Sequence, residues 1–316
     1  MSKSVFIVIP EVQGMLECKK QCTMNVMSQV TKILLKVVLA RIRNKIKSRI
    51  SEEQYWFVKG KGTRNAIFAL RNLDEKALEV NQDLYLCFVD YEKAFDKVKH
   101  EDLMKMLERL EIDGKDLRII KNLYWNQKVA VKIDDEKSKW QCIERGVRQG
   151  CVMSPDLFNL YSEMIMREIK ELEGIRLNGY NINNIRYADD TVLVADSEEK
   201  LQGLLNLLNE GSERKGLKIN KLKTEVMVIS RAVINSRVNI RIEDNLVKQV
   251  GRFNYLGSLI NEDGRCEDEI RKRINKAKYA FNKMKNLLTN SKVSIETRKR
   301  FVKCYVWSTR LYGCES

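Results

Sequence analysis

The stretch IRYADDTVLVA, residues 185–195, sets Asp189 beside Asp190 between two apolar runs. Its halves read as strands and the acidic pair as part of the turn joining them. Adjacent carboxylates repel, and apolar neighbours remove the water that would screen them, so the turn is unfavourable unless a cation arrives. Working outward, LYLCFVDYEKAFDKV (84–98) reads as a buried strand over 84–89 that ends at a third carboxylate, Asp90. If the strands are neighbours, acidic groups remote in sequence converge on one spot. Oxygen donors suit hard divalent cations, and magnesium keeps positions open for water and substrate phosphates. Two such ions can serve an in-line phosphoryl displacement. Taken singly, a strand-end Asp is equally a turn former, and a hairpin Asp pair equally a solvated loop.

The rest of the chain supplies a polyanion for such a site. Lys and Arg number 58 against 43 Asp and Glu, a net charge of +15, which points to nucleic acid as a partner through counterion release. With 44% hydrophobic residues, 15 Gly and 2 Pro over 316 residues, the composition is that of a folded protein with a large core. Eight scattered cysteines suit free thiols in a reducing, intracellular compartment. Cys18 and Cys22 stand with one histidine, His100, far away in sequence, which argues against zinc. SVFIVIP is too short for a signal peptide, and charges interrupt KILLKVVLARI before it could span a membrane. A soluble protein is expected.

Helical spacing over 28–49 predicts a helix whose core stripe is Val30, Ile33, Leu34, Val37, Val38, Ile42 and Ile46. A basic turn from Lys59 through Lys61 to Arg64 precedes a helix starting near Thr63. Its cations could grip a phosphate, although GKGT lacks full P-loop spacing. Helices follow at 101–110 and 115–126, then strands VAVKID and WQCIERG as a hairpin, then a helix with Ser154 as N-cap and Pro155 at its first position. A helix over 198–216 and strands LKIN and TEVMVIS come next. Strands alternating with helices over 84–229 predict an α+β or α/β sheet. From Arg271 to Lys303 a long helix is predicted, striped by Ile270, Ile274, Ala277, Phe281, Met284 and Leu288, with twelve Lys or Arg against the single acid Glu296.

FVDYEKAFDKV, RGVRQGCVMSPDLFNLY, YADDTVLVA, GLKINKLKTE and FNYLGS occur in that order. Together they resemble motifs A to E of reverse transcriptases from LINE-type, non-LTR retrotransposons, and QYWFVKGKGTRNAIFALR resembles their fingers region. The resemblance implies an α+β right-hand polymerase: fingers over 1–80, palm over 81–260 with interleaved fingers elements, and thumb over 261–316. It implies an RNA-directed DNA polymerase that adds dNTPs to a DNA primer on an RNA template, using two Mg2+ ions, with Mn2+ as a substitute.

By the same resemblance, Asp90 and Asp189 are metal ligands with Asp190 as a supporting carboxylate, and Lys223 neutralises or protonates departing pyrophosphate. Tyr91, Phe95, Gln149 and Gly150 border the incoming nucleotide, Phe95 excluding a ribose 2′-hydroxyl. Lys59, Lys61 and Arg64, the primer-grip residues Tyr255, Leu256 and Gly257, and the thumb residues Arg271 and Lys272 touch nucleic acid. The sequence departs from the family at Cys22, where an arginine is usual, near Glu11 and Val12, where lysines are, and at Trp56, where a glycine is. Those departures suit a decaying copy, so a catalytically silent nucleic-acid-binding remnant stands as the alternative. The chain is expected to begin within the fingers, to be truncated at both ends and to lack the endonuclease of such elements. Oligomeric state is open.

Overall fold

The computed structural model describes residues 3–10, 21–25, 27–124, 127–133, 135–177, 179–231 and 237–314. In chain order, β1 (Lys3–Pro10) and β2 (Gln21–Asn25) lead into α1 (Gln29–Lys47) and α2 (Thr63–Glu79). Strand β3 (Leu84–Val89) is followed by α3 (Ala94–Lys97), α4 (His100–Arg109) and α5 (Gly114–Tyr124). Strands β4 (Gln127–Ile133), β5 (Glu136–Lys137) and β6 (Gln141–Ile143) precede α6 (Ser154–Ile169). Then come β7 (Ile175–Leu177), β8 (Tyr180–Ile182), β9 (Asn184–Tyr187), β10 (Asp190–Ala195), α7 (Glu198–Arg214) and β11 (Glu225–Ile229). Short strands β12 (Arg241–Ile242), β13 (Asn245–Leu246) and β14 (Lys248–Gln249) lead to the hairpin β15 (Arg252–Tyr255) and β16 (Ser258–Asn261). Helices α8 (Glu267–Lys283), α9 (Lys285–Leu288), α10 (Ile295–Phe301) and α11 (Ser308–Arg310) finish the chain, with a π-helical stretch Val302–Trp307 between the last two.

The central sheet runs β14-β11-β3-β10-β9, with β3 antiparallel to both its neighbours. Period-two alternation sends its side chains to two separate cores. Leu84, Leu86, Phe88, Val192, Val194, Met227 and Ile229 pack against α2 through Ala66, Ile67, Leu70, Leu73 and Ala77. Cys87, Val89, Leu193, Ala195, Val226 and Val228 face the other way, toward α7 and α6. Both faces are buried, which explains why these strands read as nearly unbroken apolar runs. A second sheet, β2-β1-β4-β5 with β6 on β4, draws together the N-terminal strands and the 127–143 hairpin.

Several sequence expectations change. Helix α1 forms as predicted, with Ser28 capping it through the Thr31 N–H, but it buries Leu35, Val38, Leu39, Ile42 and Ile46. Val30, Ile33, Leu34 and Val37 are exposed. The helix carries two interleaved apolar sets at helical spacing, so periodicity alone does not choose between them. Its cations help fix the face: Arg41 meets Asp116 at 3.1 Å and Arg43 meets Asp156 at 3.5 Å, both acids being buried on α5 and α6. Ser154 is the first residue of α6 rather than its cap, and its hydroxyl donates to the Arg148 carbonyl at 2.7 Å. LKIN supplies only an isolated bridge from Ile219 to Tyr91. Helix α2, expected with the fingers, lies under the central sheet.

The long terminal helix is broken. Asn290 accepts from the Lys292 N–H, and Ser294 caps α10 through the Thr297 N–H, so side chains compete with the backbone where one helix was predicted. Of its stripe, Ala277 and Leu288 are buried, while Ile270 and Phe281 are exposed. No helix among the described residues is long and apolar enough to cross a membrane.

The choice of face on α1 is directly checkable by urea denaturation. Leu35→Ala should cost about 2–5 kcal/mol, as for a fully buried leucine. Ile33→Ala should stay within about 0.5 kcal/mol of the parent. The reverse ranking would restore the sequence-derived stripe.

Candidate active site

The β3–β10 register pairs Thr191 with Val89. One step further, Asp190 at the start of β10 stands beside Asp90 just past the end of β3, with Asp189 in the turn from β9. Asp90 is held from the opposite side. Its N–H donates to Thr224 Oγ1 at 3.4 Å, and its carbonyl accepts from the Asn220 N–H at 2.8 Å. Asn220 also accepts from the Lys223 and Thr224 amides at 3.2 and 2.9 Å, folding the segment before β11 into a turn that presents Lys223.

Asp90, Asp190 and Lys223 line a cleft of about 200 Å3 together with Phe88, Thr191, Phe253 and Tyr255. Its roof is the β15–β16 hairpin, where Phe253 stacks on Phe88 at 3.8 Å between centroids. Leu256 and Gly257 form the two-residue hairpin loop, both at positive φ (46° and 83°), as a primed turn requires. Polar contacts clamp that loop. Tyr312 donates to the Leu256 carbonyl at 2.7 Å, Arg273 donates to the Gly257 carbonyl, Glu269 accepts from the Leu259 N–H at 3.0 Å, and Arg71 donates to Ser258 Oγ at 2.9 Å. A larger cavity of about 600 Å3 lies between α4, β6 and the end of α7. Its lining mixes Lys99, Arg145 and Arg214 with Glu101, Asp102 and Glu144, and none of Asp90, Asp189 and Asp190 reaches it.

Electrostatics single out the smaller cleft. Desolvation, then the charges of Asp189 and Asp90, push the Asp190 carboxyl up to about 6. Asp189 is also raised, by burial first and by Asp90 as well. The Tyr255 hydroxyl is buried with no hydrogen-bond partner and is pushed upward by burial, with Asp190 contributing. All-oxygen donors, repelling carboxylates and an orphaned hydroxyl fit a hard divalent cation. Among the described residues no three His, Cys, Asp or Glu side chains group tightly enough to enclose an ion. The remaining coordination positions would fall to water, backbone or substrate oxygens, as magnesium commonly takes them.

The structure brings Asp90, Asp190, Lys223 and Tyr255 together. Asp189 stands in the adjoining turn and does not line the cleft. Tyr91 points away: it is buried in the α7-side core with its hydroxyl 3.1 Å from Ser212 Oγ, and burial raises it to about 12. Phe95 stacks on Phe158 at 4.2 Å and meets the edge of Trp56 at 5.5 Å. The Trp56 ring, where a glycine was expected, is thus accommodated in an aromatic cluster. Gln149 accepts the Asn25 N–H at 3.0 Å, and Gly150, at φ 90°, would set a Cβ 3.3 Å from the Asn25 carbonyl. Glycine is required there by strand β2 itself. Lys61 reaches the Glu52 carbonyl and lies 4.8 Å from the Tyr55 ring centroid, while Lys59 on the same turn and Arg64 in the first turn of α2 are exposed. Lys272 donates to Asn254 of the hairpin at 3.1 Å, and the exposed Arg271 pairs with Glu267 at 3.6 Å. Glu11 and Val12 lie outside the described residues, and of Cys22 only its place in β2 is described.

Sequence reasoning missed Thr224, Asn220, Gln54 and Arg186. The arginine carried a signal: a charge inside the apolar run NIRYA needs a buried partner, which it finds in Glu163 at 3.2 Å.

A carboxyl whose folded pKa lies above its ordinary value destabilises the fold once ionised. The penalty is absent below about pH 4 and complete above about pH 6. In metal-free buffer Asp190→Asn should therefore raise the melting temperature at pH 7.5, on the order of 2 °C after allowing for solvent screening of this exposed side chain. At pH 4 it should change nothing. Equal effects at both values would contradict the electrostatic description.

Residues 16–260 match the family described as reverse transcriptase (RNA-dependent DNA polymerase). The chain is similar to the retrovirus-related Pol polyprotein from type-1 retrotransposable element R2 of Nasonia vitripennis, 26% identical over 74% of this chain and 24% of that protein. It is also similar to the RNA-directed DNA polymerase from mobile element jockey of Drosophila funebris, 23% identical over 92% of this chain and 32% of that protein. The chain thus spans only a quarter to a third of these curated relatives. In fold it resembles telomerase from Candida tropicalis solved with a fragment of telomeric RNA, at TM-score 0.62 and 14% identity, over 99% of this chain and 53% of that one. That likeness fits the right-hand polymerase architecture. The chain belongs to the reverse transcriptase family, with its relatives among the non-LTR retrotransposons.

Proposed function

We propose that this chain is an RNA-directed DNA polymerase region that transfers deoxynucleotides onto a primer 3′-hydroxyl. The observation that carries the reading is the meeting of Asp90 and Asp190 in one cleft, under the Phe253–Tyr255 roof and beside Lys223. In the transfer, the primer oxygen forms a bond to the α-phosphorus and the bond to pyrophosphate breaks. Asp90, Asp189 and Asp190 would hold Mg2+, or Mn2+ in its place, supplying charge stabilisation at the phosphates.

The chain's own residues account for the rest. Lys223 stands at the cleft as a cation for the departing pyrophosphate. Phe95, fixed between Phe158 and Trp56, is a rigid wall suited to rejecting a 2′-hydroxyl. Gln149 and Gly150, held against Asn25 of β2, would border the nucleotide and template. The β15–β16 loop, Tyr255 to Gly257, grips the primer, and Lys59, Lys61, Arg64, Arg271 and Lys272 meet the nucleic-acid backbone. The division into fingers over 1–80, palm over 81–260 and thumb over 261–316 is retained, with α2 of the fingers packing its apolar face on the palm sheet.

Primer extension on RNA with dNTPs and Mg2+ or Mn2+ tests this reading. Asp90→Ala or Asp190→Ala should lower incorporation by roughly 100-fold or more, the loss of a charge-assisted interaction with the reacting centre. Salt-sensitive primer–template binding without incorporation under either metal would instead favour the silent-remnant alternative.

Phe95→Val tests the wall. It should narrow the preference for dNTP over rNTP by roughly 10-fold or more, within the range that a change in pocket volume can yield. An unchanged ratio would remove Phe95 from nucleotide selection.

A further inference from the structure

The acidic turn contains a backbone oddity that the metal reading does not explain. Ala188 adopts φ 60°, a left-handed conformation that disfavours a residue with a Cβ. It is also buried, so its amide needs a partner within the protein. That partner comes from a distant segment. Gln54 Oε1 accepts the Ala188 N–H at 3.3 Å and the Trp56 N–H at 3.0 Å. Two N–H donors fix the orientation of the carboxamide, because only its oxygen can serve both.

Gln54 is itself held rigidly. It is fully buried and bridges to Arg186, with the Tyr55 N–H donating to the Arg186 carbonyl and the Arg186 N–H to the Glu53 carbonyl, each at 2.9 Å. The buried Arg186 side chain then ties this edge to Glu163 of α6 at 3.2 Å and to Ser51. Residues 53–55 thus add an isolated parallel bridge at the β9 edge, and from there Gln54 holds the acidic turn.

We propose that Gln54 is a positioning residue: its side-chain oxygen holds the Ala188 amide and thereby sets where Asp189 and Asp190 stand. The consequence for catalysis rests on the polymerase reading above. The mechanical assignment does not.

Amide exchange followed by NMR tests the two separately. In the unaltered protein the Ala188 amide should exchange at least roughly 10-fold more slowly than an unprotected amide. Gln54→Met, of similar volume but without the acceptor, should abolish that protection. Gln54→Glu at pH 6, where burial keeps the new carboxyl neutral, should retain it. An Ala188 amide already exchanging freely in the unaltered protein, or protection that survives Gln54→Met, would overturn the assignment. Steady-state incorporation supplies the second readout: Gln54→Met should lower kcat by roughly 10-fold with the KM for dNTP unchanged. If protection behaves as expected but the unaltered protein incorporates nothing, the positioning role stands and the polymerase reading falls.

Discussion

Repulsion among carboxylates at the end of the β3–β10 pair is the constraint around which this chain is arranged. The strands cannot pair in the observed register without bringing Asp90 and Asp190 together, because both acids are the next residues beyond Val89 and Thr191. The register in turn is fixed by burial on both faces. A slip of one residue would exchange the side chains facing α2 with those facing α7 along each strand. The energy that packs the sheet therefore also enforces an electrostatically unfavourable cluster: burial first, and the neighbouring acids second, raise the Asp189 and Asp190 carboxyls. A bound cation would relieve that cost, coupling fold to function.

The elements around the acids are held by different physics. On one side the Asn220 turn brackets Asp90 with backbone hydrogen bonds and presents Lys223. On another, residues 51–56 support the acidic turn through Gln54 and the buried Arg186–Glu163 pair. Above, the β15–β16 roof is stacked on Phe88 and clamped at its loop by Tyr312, Arg273 and Glu269, groups contributed by the C-terminal helical region. The carboxylates are thus fixed by segments spread over most of the described chain, so a substitution far away in sequence can disturb the site.

Much of this was legible in the sequence where a residue's environment follows from its own neighbours. The strands 84–89 and 190–195 were readable because doubly buried strands are apolar throughout, and the motif order supplied their roles. The exposed face of α1 was not, since Ile33 and Leu35 both satisfy helical spacing and only α5 and α6 decide between them. Tyr91 follows directly on Asp90 yet turns to Ser212, a contact 121 residues away that no local pattern encodes. At Gly150 the Asn25 carbonyl, far away along the chain, leaves little room for a Cβ, which no local pattern encodes either. The terminal helix broke where Asn290 and Ser294 offered the backbone competing hydrogen bonds, a signal present in the sequence but outweighed there by the apolar stripe.

The most direct test of the account is an anomalous difference map from crystals grown with primer, RNA template, a non-hydrolysable dNTP analogue and Mn2+. A manganese peak at the acidic cluster of Asp90, Asp189 and Asp190 is the predicted result. Well-ordered nucleic acid with these carboxylates free of metal, or with manganese bound only elsewhere, would contradict it.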